Sequence, residues 1–241
     1  MHPELLLTQA FWQAVLAAIF WIGLTLLVWQ ACNLLYRRLG QPSWAPPMLL
    51  ALVVLVGGLL LTGVDYRTYR DATSALNFLL GPATVALAIP LYHAVPRLLA
   101  AARPLLVTVV FASFFTPALA VGLAWAFGLS HASQLAFATR AVTTPIALGI
   151  AAKTHAPVAL TAAIVIVSGL LGAMVAEPLL GRLKSEVARG FALGLAAHGV
   201  GTARAFQLHP TAGAFAALGM GLNGLLTAFW LPPLVQWLSA H

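Results

Sequence analysis

The chain has 241 residues, of which 61% are hydrophobic and 7% charged, with a formal net charge of +7. Soluble domains carry about 25% charged residues, so this composition excludes a surface hydrated all round and points to lipid as the solvent. The basic excess does not mark a nucleic-acid binder, because most of the 12 Lys and Arg stand in ones and twos between apolar runs, as at the ends of transmembrane helices.

The first apolar run, Phe11–Leu35, follows Met1-His2-Pro3-Glu4. It has no basic flank before it and is too long for the core of a signal peptide, so it reads as a spanning helix. Roughly 20 apolar residues span a bilayer, which gives further spans at Ala45–Val64, Thr73–Val95, Pro104–Phe127, Pro157–Leu180, Arg189–Phe206 and Thr211–Leu238. Gln134–Ala152 is barely long enough and carries Arg140 and Pro145. If it crosses, the flanking basic residues divide five against five; if it is re-entrant, they divide seven against three. The positive-inside rule favours the second arrangement, with the N-terminus outside and the C-terminus inside. The expected fold is an all-α polytopic membrane protein of seven or eight transmembrane helices, one integral domain over residues 1–241 with broken or re-entrant segments. Cys32, the only cysteine, can form no disulfide within the chain.

With seven crossings, residues 45–127 and 157–238 become two three-helix units of opposite orientation. Their middle helices carry similar interruptions, Gly81-Pro82-Ala83-Thr84 and Gly199-Val200-Gly201-Thr202. Inverted repeats with matching broken helices are a recurring carrier design. A third interruption is Ala138–Ile146, which reads ATRAVTTPI. Backbone broken inside hydrocarbon is tolerated only where it faces protein or a wet cavity. A half-helix starting there aims free N–H groups and a positive dipole end into the cavity, which suits a carboxylate.

Arg140 and Arg204 stand deep in otherwise apolar stretches. Intramembrane arginines are costly and usually functional, and the guanidinium fork fits a carboxylate. Arg204 lies near a span end and can also snorkel to the surface. The expected ligands of a small organic anion are therefore Thr84, Thr143, Thr144, Thr202 and backbone N–H groups near Gly81 and Gly199. Arg140 and Arg204 serve as counter-charges, and His198 is either a proton carrier or a structural histidine. No His/Glu pair has zinc-ligand spacing, and Ser113, Ser168 and Ser185 lack a nucleophile-elbow context. Neither an enzyme, a metal nor a cofactor is expected.

The same stretches carry a family resemblance. Asp65-Tyr66, Leu79 to Ala88, Pro90-Leu91-Tyr92, Val142 to Ala147, Ala188-Arg189-Gly190, His198 and Gly201-Thr202-Ala203-Arg204 resemble the LrgB/CidB family of bacterial membrane proteins. That family includes the C-terminal half of the chloroplast glycolate/glycerate translocator. The resemblance implies one of two functions in the bacterial inner membrane. One is carriage of small carboxylates such as pyruvate, glycolate or glycerate. The other is antiholin-like control of murein hydrolases and autolysis with a small LrgA/CidA-type membrane partner. It also leaves room for a homo-oligomer. The chain departs from the family after the third break, where Gln207-Leu208-His209-Pro210-Thr211 holds no acid, and at Thr139, where relatives often have proline.

Overall fold

The computed structural model describes residues 3–42, 44–86 and 88–239, without the side chains of residues 3–10, Leu80, Thr84, Glu177 and Ser239. Every regular element among the described residues is a helix. The chain forms two compact units, Met1–Ala86 and Leu87–His241.

The first unit contains α1 (Pro3–Arg38), α2 (Pro47–Thr62), α3 (Tyr66–Ala72) and α4 (Ser74–Ala86). Proline at the first position of α2 lacks a donor the helix does not need there. Gly63 closes that helix in the left-handed conformation, φ 66°, with its N–H on the Leu59 carbonyl. Asp65 caps α3 by accepting from the Arg67 N–H at 2.9 Å. Tyr69 ties α3 to α1: its hydroxyl lies 3.0 Å from Thr25 Oγ1, and its ring meets Trp21 edge-on at 5.6 Å. The break expected at Gly81-Pro82 does not form. α4 runs through both residues to Ala86, because one proline removes a single donor and a membrane helix absorbs that loss.

The second unit contains α5 (Ala88–His93), α6 (Val95–Ala100), α7 (Ala102–Ala126), α8 (His131–Ala138), α9 (Thr144–Thr154), α10 (Val158–Leu180), α11 (Glu186–Leu208) and α12 (Pro210–Ser239). Five stretches of the described chain are long and apolar enough to cross a bilayer: one in α1, one over Ser74–His93, and one each in α7, α10 and α12. α2 is apolar but shorter. The outward faces carry large apolar side chains, such as Leu61 at 91% and Phe229 at 81% exposure, as lipid contact requires.

α7 and α12 run in parallel. Leu105 and Val109 pack with Ala214 and Phe215, Phe114 stacks on Trp230 at 4.5 Å, and Val121 packs near Leu231. α10 runs the other way, with Ala176 against Ala212 and Ala216 and Val165 in the cluster of Leu231. The first tip lies between α8 and α9, where residues 139–143 leave the helix. Its mouth is set by α12, which runs beside α9. Asn223 bonds the Ala141 carbonyl, and Gln236 bonds that of Lys153. α8 packs back on α7, and together α8 and α9 form the expected re-entrant segment, open to the Lys153 face.

The stretch Arg189–Phe206, expected to cross as one helix, instead folds back on itself at His198, where φ 40° and ψ −126° are not helical. Arg189 and Leu208 line the same cavity of about 220 Å³. A straight helix would hold them roughly 28 Å apart. Leu193 and Ala205 also share a cluster. α11 is thus a second re-entrant hairpin, entering from the face opposite Lys153. One consequence is a correction of topology: α12 begins on the Arg182 face and ends on the Lys153 face, opposite to the expected inside C-terminus. Within this unit Arg97, Arg103, Arg182, Lys184 and Arg189 share one face. Lys153 is the only described Lys or Arg of this unit at the other face, the same division that the re-entrant reading of Gln134–Ala152 gives.

Between helices in lipid, small residues set the packing distance. A Cβ built on Gly190 would collide with the Ala212 carbonyl, and one on Gly194 with that of Ala216. A Cβ on Gly122, on α7, would meet nothing within 4 Å beyond its own helix among the described residues. Gly194→Ala is expected to cost about 1–3 kcal/mol by overpacking, and Gly122→Ala to be neutral or stabilising. Thermal unfolding in detergent reads both. A reporter fused after α12 is expected on the face opposite a label at Lys184; a shared face would contradict the hairpin.

Candidate functional site

The two tips meet between α10 and α12, near the middle of both helices. At the first tip the Thr139 hydroxyl donates to the Ala136 carbonyl at 3.0 Å and closes α8. The next two carbonyls, freed by the break, are bonded from neighbouring helices. Ser168 Oγ donates to the Arg140 carbonyl at 2.7 Å, and Asn223 Nδ2 donates to the Ala141 carbonyl at 2.9 Å. Thr143 then opens α9 in extended conformation, with no bond from its side chain to the first turn. The first N–H groups of α9 therefore lack partners within their own helix, and Pro145 in that turn presents none. Arg140 is half-buried, and its guanidinium has no acceptor among the described residues.

At the second tip His198 is 3% exposed. Its Nε2–H donates to the Val165 carbonyl at 3.1 Å, which fixes the proton on that nitrogen. The ring fits because residue 169 is glycine; a Cβ there would lie 2.6 Å from Cε1. Thr202, 4% exposed, donates its hydroxyl to the His198 carbonyl at 2.8 Å and lies 3.8 Å from Met220 Sδ. The tips approach each other at Gly199, where a Cβ would sit 3.8 Å from Thr143 Oγ1 and 3.9 Å from Met220 Sδ.

Of the expected site residues, the structure brings together Arg140, Thr143, Thr144, His198, Gly199 and Thr202. Arg204 is buried but lies in the returning arm of α11, roughly 9 Å along the helix from His198, where its Nη1 donates to Gln207 Oε1 at 3.1 Å. Gly81 belongs to the first unit and lies exposed on α4; Thr84 follows it there, and its side chain lies outside the described residues. Sequence reading missed Gly169, Ser168, Met220 and Asn223. An amide in the middle of the apolar run Thr211–Leu238 was the readable signal for Asn223. No three His, Cys, Asp or Glu among the described residues come together as a metal cluster. The donors at the tips are hydroxyl, guanidinium and helix-start N–H groups, a set that binds a small anion by charge and hydrogen bonds.

Three crossing helices enclosing two opposed re-entrant hairpins define an all-α multi-pass membrane protein. Residues 25–237 match the LrgB-like family, and the chain belongs to that family. It is 34% identical over 217 residues to YwbG of Bacillus subtilis, covering 89% of this chain and 96% of that protein. It is 32% identical over 228 residues to YxaC of the same organism, covering 94% and 98%. The holin-like protein CidB of Staphylococcus aureus is 28% identical over 225 residues, covering 90% and 96%. No solved structure matches the chain.

His198 holds a backbone conformation that favours glycine. His198→Ala keeps the strain and loses the bond to Val165, whereas His198→Gly loses the bond and relieves the strain. The glycine variant is expected to be the more stable of the two by about 1–3 kcal/mol, measured by unfolding in detergent. Equal stability would mean the hairpin turn is not strained.

Proposed function

We propose that this chain is a carrier for small carboxylates of the pyruvate, glycolate or glycerate kind, working in the bacterial inner membrane. The observation that supports it is the meeting of two re-entrant tips from opposite faces at the middle of α10 and α12. A carrier needs one site reachable in turn from each side, and a hairpin from each face supplies a separate wall for each entrance. Arg140 provides the counter-charge, the Thr143 hydroxyl and the helix starts after Thr143 and His198 provide donors, and Gly199 keeps the approach free of a side chain. Arg204 lends positive potential from one arm of α11. His198, with its protonated Nε2 on Val165, leaves Nδ1 to take a proton during the cycle.

A second reading draws on the relatives named holin-like. In it the chain regulates murein hydrolase activity together with a small LrgA/CidA-type membrane protein. The two readings differ in what they ask of the tips: a regulator acting through its surface tolerates changes there.

Purified protein in liposomes is expected to take up labelled glycolate or pyruvate. Arg140→Ala should cut uptake by about tenfold or more, the loss of one charge-assisted bond pair, and Thr143→Val by less. Uptake equal to wild type in both would overturn the site, and no uptake by wild type, with a lysis phenotype that persists when the tips are changed, would favour the regulator.

A further inference from the structure

Six side-chain polar atoms of the second unit are buried without a hydrogen-bond partner among the described residues. Glu186 Oε2 and Arg189 Nε belong to the ion pair at the start of α11; the other four, Thr161 Oγ1, Asn223 Oδ1, Thr227 Oγ1 and the Trp230 indole N–H, lie on the crossing helices α10 and α12. Thr161, Asn223 and Thr227 are each at most 1% exposed. A helical threonine commonly donates back to a carbonyl one turn earlier, as Thr25, Thr154 and Thr202 do. Thr161 and Thr227 do not. Unpaired polar atoms in apolar packing are costly, and inside a membrane such groups mark paths for polar solutes.

Their placement is ordered. Val165 and Asn223 stand at the level of the tips, since they bond His198 and Ala141. Thr161 precedes Val165 by one turn on α10, and Thr227 follows Asn223 by one turn on α12. The two helices are antiparallel, so both hydroxyls lie one turn from the tips towards the Lys153 face. Trp230 continues that line by almost another turn. α9 lies along the same path from Thr144 to Lys153, whose carbonyl accepts from Gln236 Nε2 at 3.4 Å. The path is shut here, because Ala147 and Ile150 of α9 pack with Val165 and Leu231.

We propose that the seam along α9, between α10 and α12, is the route of a small carboxylate between the tips and the Lys153 face. On this reading, which rests on the carrier function, α9 moves away from Val165 and Leu231 to open the seam. Water and substrate then reach Thr227 and Thr161, whose hydroxyls donate to the carboxylate, while Asn223 Oδ1 accepts from water or a substrate hydroxyl. The closed seam leaves these groups unpaired and the open one satisfies them, so they favour opening while the apolar residues favour closure.

Cys32 is the only cysteine, so Cys32→Ser gives a background for single cysteines. Thr227→Cys and Thr161→Cys are expected to react with the anionic, membrane-impermeant reagent MTSES applied at the Lys153 face, and faster than with cationic MTSET. Glycolate should slow the reaction, and Phe229→Cys, which faces lipid, should stay unreactive. In parallel, Thr227→Val removes the hydroxyl at nearly constant shape. Uptake should fall about tenfold while the melting temperature holds or rises. No labelling of either folded cysteine variant, or unchanged uptake with a raised melting temperature, would overturn the route. If wild-type liposomes show no uptake, the carrier function fails, and the labelling pattern still decides whether the seam opens to water.

Discussion

The architecture depends on the need to bond every backbone carbonyl that a broken helix frees inside hydrocarbon. At the first tip the two freed carbonyls belong to Arg140 and Ala141, and they are taken by Ser168 of α10 and Asn223 of α12. At the second tip the Thr202 hydroxyl takes the His198 carbonyl, while the His198 ring bonds back to α10. The first tip is thus held by side chains at the middle of the crossing helices, and the second by its own histidine on a backbone carbonyl of α10, which fixes the depth of each. Without such partners, orphaned carbonyls in lipid would cost several kcal/mol each, and the chain would favour straight helices.

The same bonds explain why the site can serve an anion. Ser168, Asn223 and Thr202 occupy the Arg140, Ala141 and His198 carbonyls, so what remains at the tips is donors and positive potential: the first turn of α9, the chain leaving His198, the Thr143 hydroxyl and the Arg140 guanidinium. Small residues let these groups come close. Gly169 makes room for the imidazole, Gly199 lets the second tip approach Thr143, and Gly190 and Gly194 seat the hairpin on α12. The two hairpins differ in their anchoring. α11 is seated on α12 through glycines backed by carbonyls, while α9 leans on α10 and α12 through aliphatic contacts, a softer surface on which to slide.

Much of this was legible in the sequence. Low charge and long apolar runs gave the membrane class, and the basic residues around Gln134–Ala152 argued for a re-entrant segment. Arg140, Pro145 and the threonines around them marked the first tip. Hydropathy could not distinguish a crossing from a hairpin at Arg189–Phe206, because both bury the same residues; the turn rests on one backbone conformation at His198, a residue type with no turn preference of its own. The misreading of that hairpin carried the C-terminus to the wrong face. Gly81-Pro82 misled in the opposite sense: the dipeptide signals a break, yet the intact turns on either side keep α4 helical. Arg204 was singled out as an arginine deep in an apolar run, and the returning arm of α11 carries it away from the tip. Ser168 and Asn223 were missed because a partner for a freed carbonyl is chosen by three-dimensional register, which no local pattern records.

The central claim is that the two tips touch, and it is tested most directly by joining them. In the Cys32→Ser background, Thr143→Cys and Gly199→Cys put one thiol on each tip, where a Cβ on residue 199 would stand 3.8 Å from Thr143 Oγ1. The account predicts rapid cross-linking under mild oxidation, slowed by glycolate. Failure of the pair to cross-link in well-folded protein would contradict it.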